Sequence, residues 1–397
     1  MTTRALIALG IGQCINWGVL YYAFAVLVVP LQRELGVDTW VVTGAFSVAL
    51  LMSAALAPAV GRWGDRDRGP LVMQVGGVTA TGVLLVWPYI PGVAALYLVW
   101  AGLGLCMAAT LYEPAFVIIA RAYQDPATRL RALAAITLFG GLASTAFLPG
   151  TAFLVTTVGW RGAVLGLAIA LGLSTGLTRT LVFRGLAAGT SLEGTSSADR
   201  VSRLETRPFQ FVMVAAMFTL TTLASGSFAT NLVPALGERG IAPTTAALLG
   251  GLMGAMQLPG RALLMHGMFA ASPATLLAAS LALHAGGLGL VAFGPSTSII
   301  AAGTVIFALG AGVTTLVRPH LVQTMFGVES GGLFNGRIAR QQQLARAASP
   351  IVVAWLASRF SYAAALAVFA AAFVIASFVA HGVLREGRSP AAQNEAA

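Results

Sequence analysis

Apolar residues fill this chain in long runs, and polar residues gather in the short stretches between them. The runs lie near 5–31, 39–60, 70–90, 93–121, 132–157, 161–183, 208–235, 242–265, 272–293, 297–321, 337–357 and 361–383. Each holds enough residues to cross a hydrocarbon core of about 30 Å. Lipid offers backbone N–H and C=O groups no partners, so every run is expected to be a helix. The pattern predicts an all-α polytopic membrane protein with twelve transmembrane helices. Pro30, Pro114, Pro149, Pro234, Pro259, Pro319 and Pro350 fall inside these runs or at their ends. They are tolerated where a neighbouring helix satisfies the carbonyl that proline frees. The first run, behind Met1–Arg4, resembles a secretory signal, with Ala23-Phe24-Ala25 as a mimic of a cleavage site. Its length, the presence of Gln13 and Asn16 inside it, and the runs that follow argue for a membrane span instead.

The polar interruptions set the topology. With the N-terminus inside, all arginines except Arg33, Arg161, Arg239 and Arg359 fall on one side. The positive-inside rule makes that side cytoplasmic and puts both termini there, in a cell inner membrane. The longest polar stretch, 185–207, is rich in Ser, Thr, Gly and Arg and reads as a cytoplasmic linker. It separates a six-helix bundle over 1–184 from a second over 208–384, followed by a cytoplasmic tail over 385–397. An internal repeat supports the division. At one constant offset, Phe24, Ala25, Val29, Pro30, Glu34 and Gly36 meet Phe228, Ala229, Val233, Pro234, Glu238 and Gly240. A near-identical offset lays Glu113-Pro114 on Arg318-Pro319. Two related six-helix halves are a known transporter architecture.

Composition narrows the class. Hydrophobic residues make up 57% of the chain and charged residues 9%, against about 25% charged in a soluble domain. The mean hydropathy is +0.85. The net charge of +10 does not point to nucleic acid, because the 23 basic residues, all Arg, are spread over short loops. Cys14 and Cys106 lie in apolar runs and read as packing residues. His266, His284, His320 and His381 are scattered without metal-ligand spacing. His320, near Arg318, could join a proton relay, with a packed or interfacial histidine as the plainer reading. The chain carries no nucleophile motif, phosphate loop or ATP-binding segment, so neither an enzyme nor a cofactor is expected. Movement of a solute would be driven by a gradient.

After the second run stands Gly61-Arg62-Trp63-Gly64-Asp65-Arg66-Asp67-Arg68-Gly69. It resembles the loop signature of the major facilitator superfamily at Gly61, Asp65 and Arg66. It departs at Asp67, where the family usually has Gly. Gly159-Trp160-Arg161-Gly162, between the fifth and sixth runs, is similar to that superfamily as well. The resemblance implies that superfamily's fold, two pseudo-symmetric six-helix bundles, here expected as a monomer in the bilayer. It also implies alternating access, with Gly61, Asp65 and Arg66 in the cytoplasmic gate and Asp65 capping a neighbouring helix or pairing with an arginine. A charged turn obeying the topology rule is the plainer reading of that loop. The Gly-Pro pair of drug exporters is absent as such; Gly140, Gly141, Pro149 and Gly150 are a loose echo, which leaves the direction of transport open. The monocarboxylate-porter-like branch often has a basic residue in helix eight or eleven, where Arg261 and Arg346 stand here.

Charges inside spans carry the candidate chemistry, since each costs about 2.5–3.5 kcal/mol on insertion scales. Glu113 sits about eight residues, roughly 12 Å, from the cytoplasmic end of the fourth span. A desolvated carboxylate can take and release a proton, which makes Glu113 the candidate for proton coupling. Arg318 holds the repeat-equivalent place, and Arg346 follows Arg340, Gln341, Gln342 and Gln343 in the eleventh span. Both could attract an anion, or serve as a snorkelling residue and a gate. Gln13, Asn16, Trp17 and Tyr21 share a face of the first span, flanked by Tyr22; Thr222 and Ser225 share one in the seventh, beside Thr221. Polar tips with aromatic walls suit a small organic solute, and hydrogen bonding between helices is the alternative use. The expectation is a proton-coupled porter for a small organic anion, with Asn16, Trp17, Tyr21, Thr222, Ser225, Arg318 and Arg346 as substrate-binding residues. An efflux pump for drugs or other toxic solutes, and a non-transporting sensor of the same fold, are the rivals.

Overall fold

A computed structural model describes residues 1–90, 92–183, 208–241, 243–265 and 272–386. They are helical almost throughout. α1 (Thr3–Trp17) runs through a π-turn at Gly18–Tyr22 into α2 (Ala23–Leu35). Then come α3 (Thr39–Trp63), a π-turn at Gly64–Arg68, α4 (Gly69–Val86), α5 (Val93–Thr110), α6 (Tyr112–Ala122), α7 (Pro126–Gly141) and α8 (Ala143–Thr178). From Pro208 on follow α9 (Pro208–Gly237), α10 (Pro243–Ala255), α11 (Gln257–Met265), α12 (Pro273–Phe293), α13 (Thr297–Phe326), α14 (Gly331–Arg359) and α15 (Tyr362–Glu386).

Among the described residues, 8 helical runs are long and apolar enough to cross a membrane. Two of them, Trp40–Tyr89 at 50 residues and Pro126–Phe183 at 58, have length for two crossings each. Each bends at one residue with positive φ: Asp67 at 60° in the first, Gly159 at 73° in the second. α10 with α11, and the polar α14, fall where the sequence puts the eighth and eleventh spans. The linker reading over 185–207 lies outside the described residues, as do residues 387–397 of the tail expected over 385–397, and His266.

Local chemistry sets the helix ends. Thr2, Asp125 and Ser272 cap α1, α7 and α12, each accepting a backbone N–H three residues on. The repeat-equivalent Gly36 and Gly240 both adopt positive φ after α2 and α9, a conformation in which glycine has no Cβ penalty.

The chain forms two compact units, Met1–Ser196 with Phe326–Ala347, and Ser197–Met325 with Ala348–Ala397. Lipid supplies no hydrophobic drive between helices, so close packing holds each unit together. In the first, Phe24 stacks on Phe46 at 4.8 Å and meets the edge of Trp100 at 4.5 Å. A Cβ on Gly104 would overlap the Ala49 backbone, so α5 lies directly on α3. At the end of α2, Glu34 takes a bidentate pair of bonds from Arg161, at 2.5 and 2.6 Å, and a third from Trp160 Nε1. Arg161 Nε also donates to the Pro88 carbonyl at 3.0 Å, so the Trp160-Arg161 pair ties together three helix ends.

In the second unit α12 packs along α15. His284 is fully buried between Phe307 and Phe373, with ring centroids at 4.8 and 4.9 Å. Its Nδ1 lies 2.7 Å from the Ser280 carbonyl oxygen, one turn back. His284 is thus a packed helix residue.

Candidate functional site

The site begins with a proline. Pro114 has no N–H, so the carbonyl four residues back, on Thr110, loses its helical partner. The chain leaves helical geometry at Leu111, where ψ is −155°, and α6 starts afresh. The freed Thr110 oxygen accepts two bonds from α1 instead: Gln13 Nε2 at 2.9 Å and Asn16 Nδ2 at 3.0 Å. Both amides are buried, at 0% and 5% exposure. A bare carbonyl in this setting would cost several kcal/mol, so Gln13 and Asn16 brace the break. Glu113, half-buried, sits in the first turn of α6, where the helix macrodipole favours an acid.

One turn along, Trp17 becomes the hub of a ring cluster. Its ring centroid lies 5.3 Å from Tyr21, 6.5 Å from Tyr22 and 4.9 Å from Tyr112. In a regular helix Tyr22 would point well away from Trp17. The π-turn, in which the Ala23 N–H reaches back to the Gly18 carbonyl, brings residues five apart onto one side. A Cβ on Gly18 would overlap the Phe147 ring, so only glycine lets α8 pack here. Tyr112 is fixed at its far end, where its hydroxyl donates to the Thr137 carbonyl at 3.4 Å beside Gly140. All four rings are half-buried. The Trp17 Nε1 is shielded from solvent and meets no acceptor among the described residues, a deficit of about 1–3 kcal/mol for a buried donor.

Arg346, on α14, belongs to the same cluster. Its Cζ stands 5.7 Å from the Tyr21 ring centroid. Gln343 orients it, accepting from Nη1 at 2.8 Å, and in turn donates to Ser53 Oγ on α3 at 3.3 Å. Trp17, Tyr21 and Arg346 therefore converge.

A second constellation surrounds Asp65. Its Oδ1 accepts the Gly332 N–H at 2.8 Å and its Oδ2 the Leu333 N–H at 2.7 Å. These are orphan donors in the first turn of α14, and a carboxylate there also meets the positive end of the helix dipole. Asp65 is only 6% exposed. Small residues allow the approach. A Cβ on Gly61 would overlap the Gly332 carbonyl, and one on Gly336 the Ala57 carbonyl. Arg121, at the end of α6, pairs with Asp67 and donates to the Asp65 carbonyl. Arg66 is exposed.

The remaining sequence candidates lie in the second unit. The Thr222 hydroxyl is buried and donates to the Phe218 carbonyl of its own helix at 3.0 Å; Ser225 is half-buried on the same helix, α9. Arg318 and His320 flank Pro319 in α13, each 7% exposed.

The family model for the Major Facilitator Superfamily matches residues 9–336. The chain belongs to the major facilitator superfamily. Solved members share its fold. The human organic anion transporter MFSD10 (TETRAN) is 16% identical, with a TM-score of 0.71 over 95% of this chain and 99% of that one. A variant of the E. coli fucose:proton symporter FucP is 13% identical, with a TM-score of 0.66 over 94% and 97%. The proton:xylose symporter XylE, bound to 6-bromo-6-deoxy-D-glucose, is 12% identical, with a TM-score of 0.67 over 95% and 94%. No curated protein matches the chain in sequence. Membership makes this protein a multi-pass integral membrane transporter of a small-molecule substrate and not an enzyme. Its departure from the superfamily's loop signature has a local reason. Asp67 occupies the φ of 60° that suits the usual glycine, and Asp is among the few other residues that tolerate it. The sequence pattern does not single out Tyr112, Ser53, Arg121 as a partner of the loop, or Gly332 with Gly336. The Tyr112-Glu113-Pro114 order was a usable signal, because a proline after two polar residues marks a broken helix with side chains beside the break.

Proposed function

We propose that this member of the superfamily carries a small organic anion across the inner membrane, coupled to protons, by alternating access. The observation that carries the reading is the contact of the Arg346 guanidinium with Tyr21 among half-buried rings. A unit charge about 6 Å from a guanidinium, at an effective dielectric of about 20, feels roughly 3 kcal/mol. That is about a hundredfold in affinity, for an anion and against a cation. In this reading Arg346 and Arg318 attract the anion, Trp17, Tyr21, Thr222 and Ser225 contact its body, and Asn16 holds the wall in place. Glu113 carries the proton. Asp65, with Gly61 and Arg66, forms the cytoplasmic gate, which opens when the cap on α14 lets go. The six-helix halves, 1–184 and 208–384, rock about the linker 185–207, with both termini in the cytoplasm and the protein acting as a monomer.

The coupling is tested in proteoliposomes by imposing a pH gradient. Wild type accumulates carboxylate against its gradient, whereas Glu113→Gln exchanges it only down the gradient. Unchanged accumulation in Glu113→Gln removes Glu113 from the coupling. A second reading, export of an organic cation, draws on the same rings, since the faces of Trp and Tyr attract cations. It predicts binding of aryl ammonium ions that survives Arg346→Ala. A non-transporting sensor predicts binding with no flux.

A further inference from the structure

We infer that the substrate is an aryl carboxylate, a single flat ring bearing its acid group directly or one carbon away. The inference rests on the anion-porter reading and adds the shape of the anion's body. Three observations carry it. First, the wall beside Arg346 is built of rings: Trp17 touches Tyr21, Tyr22 and Tyr112, with centroids between 4.9 and 6.5 Å. Aliphatic carboxylates need no such surface; a ring gains from it through offset and edge-to-face contacts. Second, Tyr22 joins the cluster only because the helix is distorted. The π-turn at Gly18–Tyr22 puts Tyr22 beside Trp17, and π-turns of this kind concentrate at functional sites. The core packing of α2 against α3 and α5, through Phe24, Phe46 and Trp100, lies beyond the turn and does not need Tyr22 in that place. Third, two donors stand near one ring. Arg346 Cζ is 5.7 Å from the Tyr21 centroid, and the Trp17 ring is 5.3 Å from it with an Nε1 that meets no acceptor among the described residues. A carboxylate held by Arg346 thus lies beside the Tyr21 ring, and its oxygens are the kind of acceptor the Trp17 N–H lacks. The mutual contacts of the rings make them a platform for stacking rather than an open cage around a cation, and Arg346 repels a cation from it.

The test is calorimetric titration of the full-length protein in lipid nanodiscs with four probes: benzoate, cyclohexanecarboxylate, propionate and benzyltrimethylammonium. Benzoate and cyclohexanecarboxylate share charge and size, and only the first is flat and aromatic. Benzoate is expected to bind about tenfold more tightly than its saturated counterpart. Tyr112→Leu and Tyr22→Leu bring that ratio close to one while cyclohexanecarboxylate still binds, and Tyr112→Phe, which keeps the ring, keeps the ratio. Trp17→Phe weakens both acids together and leaves their ratio. Equal affinity for the two cyclic acids, lost for both in Arg346→Ala, overturns the aryl inference and leaves the anion porter standing. Binding of benzyltrimethylammonium with no binding of any carboxylate overturns both.

Discussion

Replacing Asp65 by Asn isolates what its carboxylate does for α14. The two oxygens accept the Gly332 and Leu333 N–H groups at 2.8 and 2.7 Å, in a place only 6% exposed. Hydrogen bonds to a charged group contribute about 1.5–3 kcal/mol each, and a charge at a helix N-terminus adds up to about 2 kcal/mol where it is partly buried. Asn keeps one acceptor oxygen, turns a donor toward the other N–H and removes the charge. The loss is therefore one charged bond and most of the dipole interaction, about 3 kcal/mol. That corresponds to roughly a hundredfold in the population of the uncapped state. Hydrogen exchange of the backbone amides over 331–336, in nanodiscs, reads this population directly. In Asp65→Asn the Gly332 and Leu333 amides should exchange about a hundredfold faster, with α5 amides unaffected. An exchange rate within twofold of wild type, in both Asp65→Asn and Asp65→Ala, would show that the carboxylate does not hold the helix and would undo the gating argument.

Two further changes probe the same framework. In Gly332→Val the new Cβ meets Asp65 Oδ1 and the Gly61 carbonyl, each at 2.5 Å; the cap should be lost as in Asp65→Ala, with transport abolished and the midpoint of thermal unfolding lowered, and a variant that transports normally would mean the approach is looser than described. Pro114→Ala restores the N–H that Thr110 lacks, lets α5 and α6 join and strips Gln13 and Asn16 of their acceptor. Flux should fall at least tenfold with little change in melting temperature, and full flux would show that the break at Leu111 is not needed.

The spans were legible because lipid enforces length and polarity, which residues report one by one. The interruptions inside them were not. Pro114 marks where a carbonyl is freed, but that Gln13 and Asn16 satisfy it is a tertiary fact, carried by no local pattern. The π-turn at Gly18–Tyr22 has no sequence period of its own, so Tyr22 read as a neighbour of the aromatic face rather than a member of the cluster. The spacing in the Gly61–Gly69 loop pointed at a capped helix, while the helix itself was blurred. α14 starts at Gly331, but Asn335, Arg337, Arg340 and Gln341 dilute its apolar signal, and the sequence placed that span from 337. Its polar character makes sense once Arg346 and Gln343 are seen against Tyr21 and Ser53. Arg318 was conspicuous as a charge, and its burial at 7% agrees with a residue that needs a reason to be there.

The most direct test of the central claim is flux of a labelled aryl carboxylate into proteoliposomes of the purified protein, with and without an inwardly directed proton gradient. Accumulation above the equilibrium level that collapses when a protonophore is added, and that is absent in Arg346→Ala, is the result expected of a proton-coupled anion porter. Saturable binding with no flux, or flux indifferent to the proton gradient and to Arg346, would contradict it.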